Sequence, residues 1–293
     1  MLDETPPHRE RTTVTAHTVL RLSGGTIEAS LTVPAAAVPL GRLVPVAQAL
    51  ANAIVEVTTH TVEATGRTVS CRAGCGACCR QLVPIAPAEA RKILDLVESL
   101  PEPRRSEVWA RFVEARQRLE AAGLLESLAQ LSHMDTDQRR LLGLDYFRQQ
   151  VPCPFLEDES CSIHPDRPIA CREYLVTSAP TYCTWRVPNA VEGVRMPTSV
   201  WKALAAMEDR IDAEARPPLV PLVLALEWAD VHRDDAPVRP GPELLRELLE
   251  RVTRTVGVIP PAPEPAADFS HPLDRGGTLT ETRRCRSSAW DVT

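Results

Sequence analysis

The chain has 293 residues, of which 44% are hydrophobic, and its formal net charge is −6. This length permits one large domain with appendages. Proteins that bind the phosphate backbone of nucleic acids are usually basic, so the negative net charge leads us to expect no nucleic-acid partner. Residues 1–10 contain no apolar segment like that of a signal peptide, and the longest apolar run, residues 219–226, is much shorter than the roughly 20 residues of a membrane span. We therefore expect a cytoplasmic chain that does not enter a membrane.

Two alternating runs open the chain. Apolar residues recur at every second position from Val14 to Leu22 and again from Ile27 to Val33, with Gly24 and Gly25 between the runs. This alternation around a glycine turn predicts a β-hairpin. A stripe at helical spacing over residues 43–57 then predicts a helix. The polar residues 1–10 and the proline-rich and polar residues 258–293 are expected to be disordered tails.

The rest of the chain is predicted to be mainly helical. Pro87 is placed to open one helix, a second carries Val108 and Leu119 on its buried face, and Gly123 ends it. Further helices are predicted over residues 138–150 and near residues 198–211, 219–232 and 242–255, and Trp185 and Trp201 are expected in the core. The predicted fold is mainly α with a small N-terminal β-hairpin (α+β) and an irregular cysteine-rich metal core packed between helices. The predicted organisation is residues 11–70 as hairpin plus helix, 71–186 as a cysteine-cluster metal-binding domain, and 187–257 as C-terminal helices packed on it.

The cysteines are the most informative residues. Eight of the nine lie in two groups: Cys71, Cys75, Cys78 and Cys79, and then Cys153, Cys161, Cys171 and Cys183. The remaining one, Cys285, stands alone and is expected to be a free thiol. In a reducing compartment, thiols grouped in this way indicate a metal site, because soft thiolates are the ligands of zinc and of iron–sulfur clusters.

The first group has the spacing of a chelating loop. Two residues separate Cys75 from Cys78, so both sulfurs can turn toward one ion, and the adjacent glycines suit the tight backbone that this requires. Cys78 and Cys79 are adjacent, and their side chains tend to diverge. This favours a cluster or a two-metal site over a simple zinc finger.

The second group lies in a loop that continues into a predicted short helix after Pro168. Asp166 is expected to cap that helix, and Cys171 would then lie near its positive end, beside Arg172. Both influences are expected to lower the pKa of the Cys171 thiol. Arg167 and Arg172 are candidate cofactor-binding residues that could donate hydrogen bonds to the sulfurs, while Tyr174 is expected to pack.

Together these motifs resemble a known family. Cys-x3-Cys-x2-Cys-Cys, followed by Cys-Pro-Phe-Leu, Cys-Ser-Ile-His and Arg-Pro-x-x-Cys-Arg-x-Tyr, is similar to the YkgJ-like cysteine-cluster family over residues 71–186. That family is described as zinc- or iron-chelating. The resemblance implies a metal centre formed by seven cysteines: Cys71, Cys75, Cys78, Cys79, Cys153, Cys161 and Cys171. His164 stands where the family often has tyrosine, and its role stays open, as does that of Cys183.

The predicted function is a protein that holds zinc or iron, with an iron–sulfur cluster as one form of the centre, the metal ion as its partner and no protein partner specified. Whether it is an enzyme is left open. One alternative is an iron–sulfur enzyme of group-transfer type, because a related cysteine pattern occurs in flagellin lysine methylases that use S-adenosylmethionine. A metal carrier is another. The first cysteine group also has the spacing of radical S-adenosylmethionine enzymes, but the chain after Cys79 predicts helices and not alternating strands and helices.

Overall fold

The computed structural model describes residues 12–185, 190–208, 217–233 and 238–254, and the two predicted tails and Cys285 lie outside them. The helices of this part are α1 Val44–Glu63, α2 Pro87–Glu98, α3 Arg104–Ala121, α4 Leu125–Ala129, α5 Thr136–Arg148, α6 Ile169–Glu173, α7 Thr181–Thr184, α8 Val200–Ala205, α9 Ala225–Val231 and α10 Gly241–Arg254. The strands are β1 Thr13–Leu22, β2 Gly25–Pro34, β3 Ala37–Pro39, β4 Pro84–Ile85, β5 Leu156–Glu157, β6 Ser160–Cys161, β7 Val220–Pro221 and β8 Val238–Pro240. The predicted mainly α fold with a small N-terminal hairpin is confirmed.

The hairpin forms where the alternation predicts it. β1 and β2 pair antiparallel in a register that runs from Thr13 opposite Pro34 to Leu22 opposite Gly25. Its inward residues, Leu20, Ile27 and Leu31 among them, are buried in the larger of two apolar clusters. The hairpin thereby covers α1 and α10, which both contact it.

Helix α1 is the central element of the larger cluster. Ala47, Leu50, Ala51 and Ile54 on its inner face are almost completely buried, and the helix contacts α6 and α8 as well as β2. By length and composition alone, the helical run Leu40–Glu63 could cross a membrane. The core helix of a soluble protein passes the same test, so this finding is weak evidence for a membrane span.

A second apolar cluster packs the helices near the cysteines against the segment that carries Cys153. α2, α3 and α9 supply most of it, with Ile93, Val97 and Leu226 buried. Phe155, from the segment that carries Cys153, is 1% exposed and meets Phe112 of α3 edge to face at 5.4 Å between ring centroids. An aromatic contact of this geometry fixes the second cysteine segment onto the helical framework.

Short strands tie distant parts of the chain together. β4, immediately after the first cysteine group, pairs with β7, and β3 pairs with β8. None of these ladders was predicted, and α4 was not either. The helix predicted near residues 198–211 is described only as α8, and the apolar run 219–226 is divided between β7, a 3-10 turn (Leu222–Leu224) and the start of α9.

Candidate metal centre

Consecutive backbone turns gather the first four cysteines. The amide of Cys75 donates to the carbonyl of Arg72 (3.2 Å), that of Cys79 to Gly76 (2.9 Å) and that of Gln81 to Cys78 (3.0 Å). Gly74 has a φ of +84°, which a residue with a side chain rarely adopts. The loop therefore winds tightly enough to hold Cys71, Cys75, Cys78 and Cys79 in one short stretch of backbone.

The two cysteine groups meet directly. The amide of Cys153 donates to the carbonyl of Cys79 at 2.7 Å, so the backbones of the two segments are joined at the cysteines themselves. Gly76 packs so closely on the second segment that a Cβ atom there would lie 2.5 Å from the carbonyl oxygen of Glu159. Arg80 adds a two-pronged ion pair to the Glu159 carboxylate, at 2.6 and 3.0 Å.

Cys161 is carried by a tight hairpin. β5 and β6 are joined by Asp158 and Glu159, which have φ values of +47° and +56°. Two central residues with positive φ are the requirement of a type I′ turn, whose twist matches that of paired strands. The hairpin is anchored by Glu157. Although desolvation opposes ionisation, hydrogen bonds from Arg104 and Arg111 lower the pKa of Glu157 to about 2.

Cys171 lies on α6, which buried carboxylates hold at both ends. The amide of Ile169 donates to Oε1 of Glu89 on α2 at 2.7 Å, and the other oxygen of Glu89 accepts from the amide of Ala86 at 3.1 Å. At the other end of α6, Glu173 accepts from the amide of Val200 (2.7 Å) at the start of α8. The short helix is therefore fixed between α2 and α8.

The predicted cap of this helix is wrong. Asp166 ends a separate 3-10 turn (His164–Asp166), and Pro168, in an extended conformation, is the residue that precedes α6. Proline cannot offer a side-chain acceptor. The first amide of α6 is satisfied instead from a distant part of the chain, by Glu89.

The two candidate arginines have different surroundings. Arg172 is 4% exposed. It donates to the carbonyls of Arg167 (2.9 Å) and Pro165 and to the side-chain oxygen of Asn52 (2.8 Å), and so organises the loop that precedes α6. Arg167 leaves a buried Nε–H without a partner. Its charge acts on the thiols of Cys71, Cys78 and Cys161, lowering their pKa values as a minor contribution. Binding of a cofactor by either arginine stays a prediction.

The thiols perturb one another. A hydrogen bond with Cys79 lowers the pKa of Cys78 to about 7, and the same bond raises the pKa of Cys79. Burial raises the pKa of Cys153 to about 12 and also raises that of Cys71 and Cys161, and the negative charge of Cys78 raises all three further. Sulfurs from both groups are therefore close enough to repel as thiolates, and a bound cation would relieve that repulsion.

The expected low pKa of Cys171 is wrong. Burial raises the pKa of this thiol well above its usual range, and the charges of Cys78 and Cys153 raise it further. Loss of solvation outweighs the proximity of Arg172, whose guanidinium is turned toward backbone carbonyls.

The donor set suits a thiophilic metal. Eight unpaired cysteines lie in the described part of the chain, and seven of them are only partly buried. In those residues, however, no three Cys, His, Asp or Glu side chains stand as a finished metal-binding group. The orphaned Nε–H of Arg167 beside three thiols also suits hydrogen bonding to a metal-bound sulfur. The residues therefore have the chemistry that a thiophilic metal prefers, although in this structure the described side chains do not stand in a finished coordination geometry.

Cys183 was left open by the sequence and lies at the same centre. It is 4% exposed on α7, and burial raises its pKa to about 12, with the charges of Cys78 and Cys71 raising it further. Gln81 donates to its carbonyl oxygen at 3.5 Å, and its thiol hydrogen-bonds to Tyr174, so Tyr174 does more than pack. Cys183 is identified as part of the centre by its spatial closeness to the other thiols. Its spacing in the sequence does not show this closeness.

The surroundings of four further residues bear on the sequence expectations. The thiol of Cys71 accepts from the amide of Val176 at 3.3 Å. His164 is partly buried, and burial together with nearby Arg167 and Arg172 lowers its pKa. Trp201 is buried as expected, but the expectation for Trp185 is wrong because it is 70% exposed. It directly follows α7, whose inward residue, Cys183, takes the buried position.

Comparison with known protein families finds a match over the cysteine-rich segment. Residues 70–187 match the model of the CxxCxxCC family, which is described as a putative zinc- or iron-chelating domain. The matched segment includes all eight cysteines of the centre. No curated protein and no solved structure matches the chain.

Proposed function

We propose that the chain, whose residues 70–187 match the CxxCxxCC family of zinc- or iron-chelating domains, binds more than one metal ion through its cysteine centre. The thiols of Cys71, Cys75, Cys78, Cys79, Cys153, Cys161 and Cys171 would hold the metal, with Arg167 as a hydrogen-bond donor to the sulfurs. Thiolate-bound zinc or iron would cross-link the two cysteine segments and neutralise their negative charge.

The observation that carries this proposal is the direct junction of the two segments. The hydrogen bond from Cys153 to Cys79 brings cysteines that are 74 positions apart in sequence to adjoining backbone positions. A protein that needed only buried thiols would not require the two groups to meet, whereas a shared metal centre does.

The number of thiols favours more than one metal ion. A structural zinc ion uses four ligands, and this centre gathers eight thiols from the described residues. The side chains of Cys78 and Cys79 share a hydrogen bond, so the expectation that these adjacent side chains diverge is wrong. Two metal ions, or an iron–sulfur cluster, would use such a pair by giving each sulfur a different metal atom.

We also propose a reducing compartment, the cytoplasm, because unpaired thiols at this density are maintained there. An iron–sulfur centre would make the protein sensitive to oxygen. A zinc centre would not change colour in air.

The test is to purify the protein anaerobically and to measure zinc, iron and acid-labile sulfide per chain. We expect about two metal ions per chain, because the seven proposed thiolates exceed the four ligands of one zinc ion and suffice for two if one sulfur bridges them or Cys183 adds an eighth. Cys79→Ser should lose at least one of them, while Cys285→Ser, whose cysteine lies outside the matched domain, should keep both. Protein that contains neither zinc nor iron would refute the proposal.

The same samples separate the two metals. Labile sulfide with absorption in the visible region would identify an iron–sulfur centre, and binding of S-adenosylmethionine by calorimetry would then favour the group-transfer enzyme. Zinc without sulfide would identify a structural or carrier site. A stoichiometry of one ion would overturn the multi-metal part of the proposal alone.

A further inference from the structure

A groove lies beside the cysteine centre, between the residues that follow Arg80 and helix α5. The groove is open to solvent, and its cavity volume is about 60 Å³. This is smaller than the roughly 300–1,000 Å³ of pockets that bury a whole small molecule, and it suits part of a hydrocarbon chain. The lining is mostly apolar, with Leu82, Leu131, Phe147 and Leu219 among it. Leu82, Leu131 and Leu219 are buried and form a fixed floor, and Phe147 is partly exposed.

The rim of the groove is positively charged. Arg139 and Arg140 line it, and no acidic residue is among the described residues that do so. Arg139 donates to the carbonyls of Leu131 (3.2 Å) and Ser132 (3.3 Å) and holds one wall in place. Arg140 is 51% exposed, and its ion pair with Asp137 spans 3.8 Å to a side chain that is 87% exposed. Solvent screens such a pair strongly, so Arg140 can exchange Asp137 for a bound anion.

Gly143 keeps the groove open. It lies inside α5, where glycine costs about 1 kcal/mol relative to alanine. Its φ is not positive, and a Cβ atom at this position would meet no atom of the described residues within 4 Å. Neither backbone geometry nor packing therefore requires glycine here. The empty space above the helix is what a side chain at this position would fill.

We propose that this groove binds a small amphipathic carboxylate, with its hydrocarbon part on the apolar floor and its carboxylate at Arg140. Charge complementarity selects the anion, because the described residues that line the rim include two guanidinium groups and no carboxylate, and the nearby Asp137 is exposed and only loosely paired with Arg140. The site is separate from the proposed metal centre, although Gln81 contacts residues of both. It lines the groove and also donates to the carbonyl of Cys183.

The test is calorimetric titration of the full-length, metal-loaded protein with decanoate below its micelle concentration, with decanol and decylamine as matched probes. We expect decanoate to bind at one site and about tenfold more tightly than decanol, since one charged hydrogen bond contributes on that scale. Decylamine should bind most weakly. Equal binding of all three probes, or no binding of decanoate, would overturn the proposal. The latter outcome includes a groove already filled by another segment of the chain.

Three variants locate the site. Gly143→Leu should abolish decanoate binding by filling the space, while Gly143→Ala, which adds one methyl group, should retain most of it. Arg140→Gln should weaken decanoate about tenfold and leave decanol unchanged. Metal content, measured in each sample, should be the same in all. Full decanoate affinity in Gly143→Leu would place binding elsewhere and overturn the proposal, whatever metal the protein holds.

Discussion

The hairpin with α1 and the cysteine centre are stabilised in different ways. Between β2 and α1 the contacts are apolar, and residues such as Leu50 and Ile54 are at most 1% exposed. In the centre, backbone hydrogen bonds, buried carboxylates and ion pairs hold irregular segments together, and seven of its eight thiols are only partly buried. Burial of apolar surface needs no ligand, but a group of thiols that repel one another as they ionise does. We therefore expect the first region to fold without metal and the second to depend on it.

Metal removal is expected to have the largest effect, because only the cysteine centre should depend on metal for folding. Chelation should unfold residues 71–81 and 151–185 while residues 13–63 keep their protection, because structural thiolate sites contribute on the order of 10 kcal/mol to folding. Hydrogen exchange with and without chelator, read peptide by peptide, measures this. Equal loss of protection in both regions would show that they form one cooperative unit.

A truncation in the apolar core tests whether the hairpin and α1 can be destabilised without loss of metal. Ile54→Ala removes a side chain that is 0% exposed, and we expect it to lower the free energy of unfolding by roughly 2–5 kcal/mol without changing metal stoichiometry. Val19→Ala, at a site that is 56% exposed, is the control and should have little effect. Denaturant unfolding with metal analysis measures both. Metal loss in folded Ile54→Ala protein would contradict the separation of the two regions.

Glu89 connects the regions and makes stability depend on pH. Burial raises the pKa of Glu89 to about 7, although its hydrogen bonds from Ile169 and Ala86 oppose the shift. The folded protein therefore holds this proton more tightly than the unfolded chain. The resulting stabilisation is complete below the unfolded pKa of about 4.3 and is lost as the pH rises through 7.

Glu89→Gln should remove this dependence. Relative to the variant, the unmodified protein should lose on the order of 3 kcal/mol of stability between pH 4.5 and 7.5. Because any release of metal by acid affects both proteins, the difference between them isolates the carboxyl group. Denaturant unfolding at several pH values measures it. A constant difference across this range would show that the carboxyl group titrates normally.

The smallest expected effect concerns the junction of the cysteine segments. Gly76→Ala places a Cβ atom 2.5 Å from the carbonyl oxygen of Glu159, so we expect a loss of about 1–3 kcal/mol and weaker metal retention against a chelator. Gly41→Ala, where the nearest atom is 3.8 Å away, is the matched control. Metal release kinetics and thermal unfolding report the two effects. Unchanged release in Gly76→Ala would mean that the close contact does not hold the centre.

The regular elements could be predicted because their causes are local. Alternation around Gly24 and Gly25 specifies the hairpin, Pro87 opens α2 at its first residue, and the spacing of Leu50 and Ile54 indicates one face of α1. Each of these signals lies within about 20 residues of its element. The same is true of the cysteine motifs, which lie within the residues 70–187 that match the model of a putative zinc- or iron-chelating domain.

The details of the centre could not be predicted because they depend on distant residues. The amide at the start of α6 is satisfied by Glu89, 80 positions earlier, and not by nearby Asp166. The pKa of Cys171 is set by burial that appears only when the chain folds. Cys183 reaches the other thiols through α7, a helix of one turn that has no periodic signal.

The turn between β5 and β6 contains residues that are less favourable for the turn itself but that link the two cysteine groups. A type I′ turn is best made by asparagine and glycine, and a designer who wanted only a compact hairpin would place them at Asp158 and Glu159. Glycine at the second position would remove the carboxylate that grips Arg80. The less suitable residue is thus the one that fastens the hairpin, and Cys161 with it, to the loop of the first cysteine group. An engineered asparagine–glycine turn would have less backbone strain but would lose the ion pair between Arg80 and residue 159.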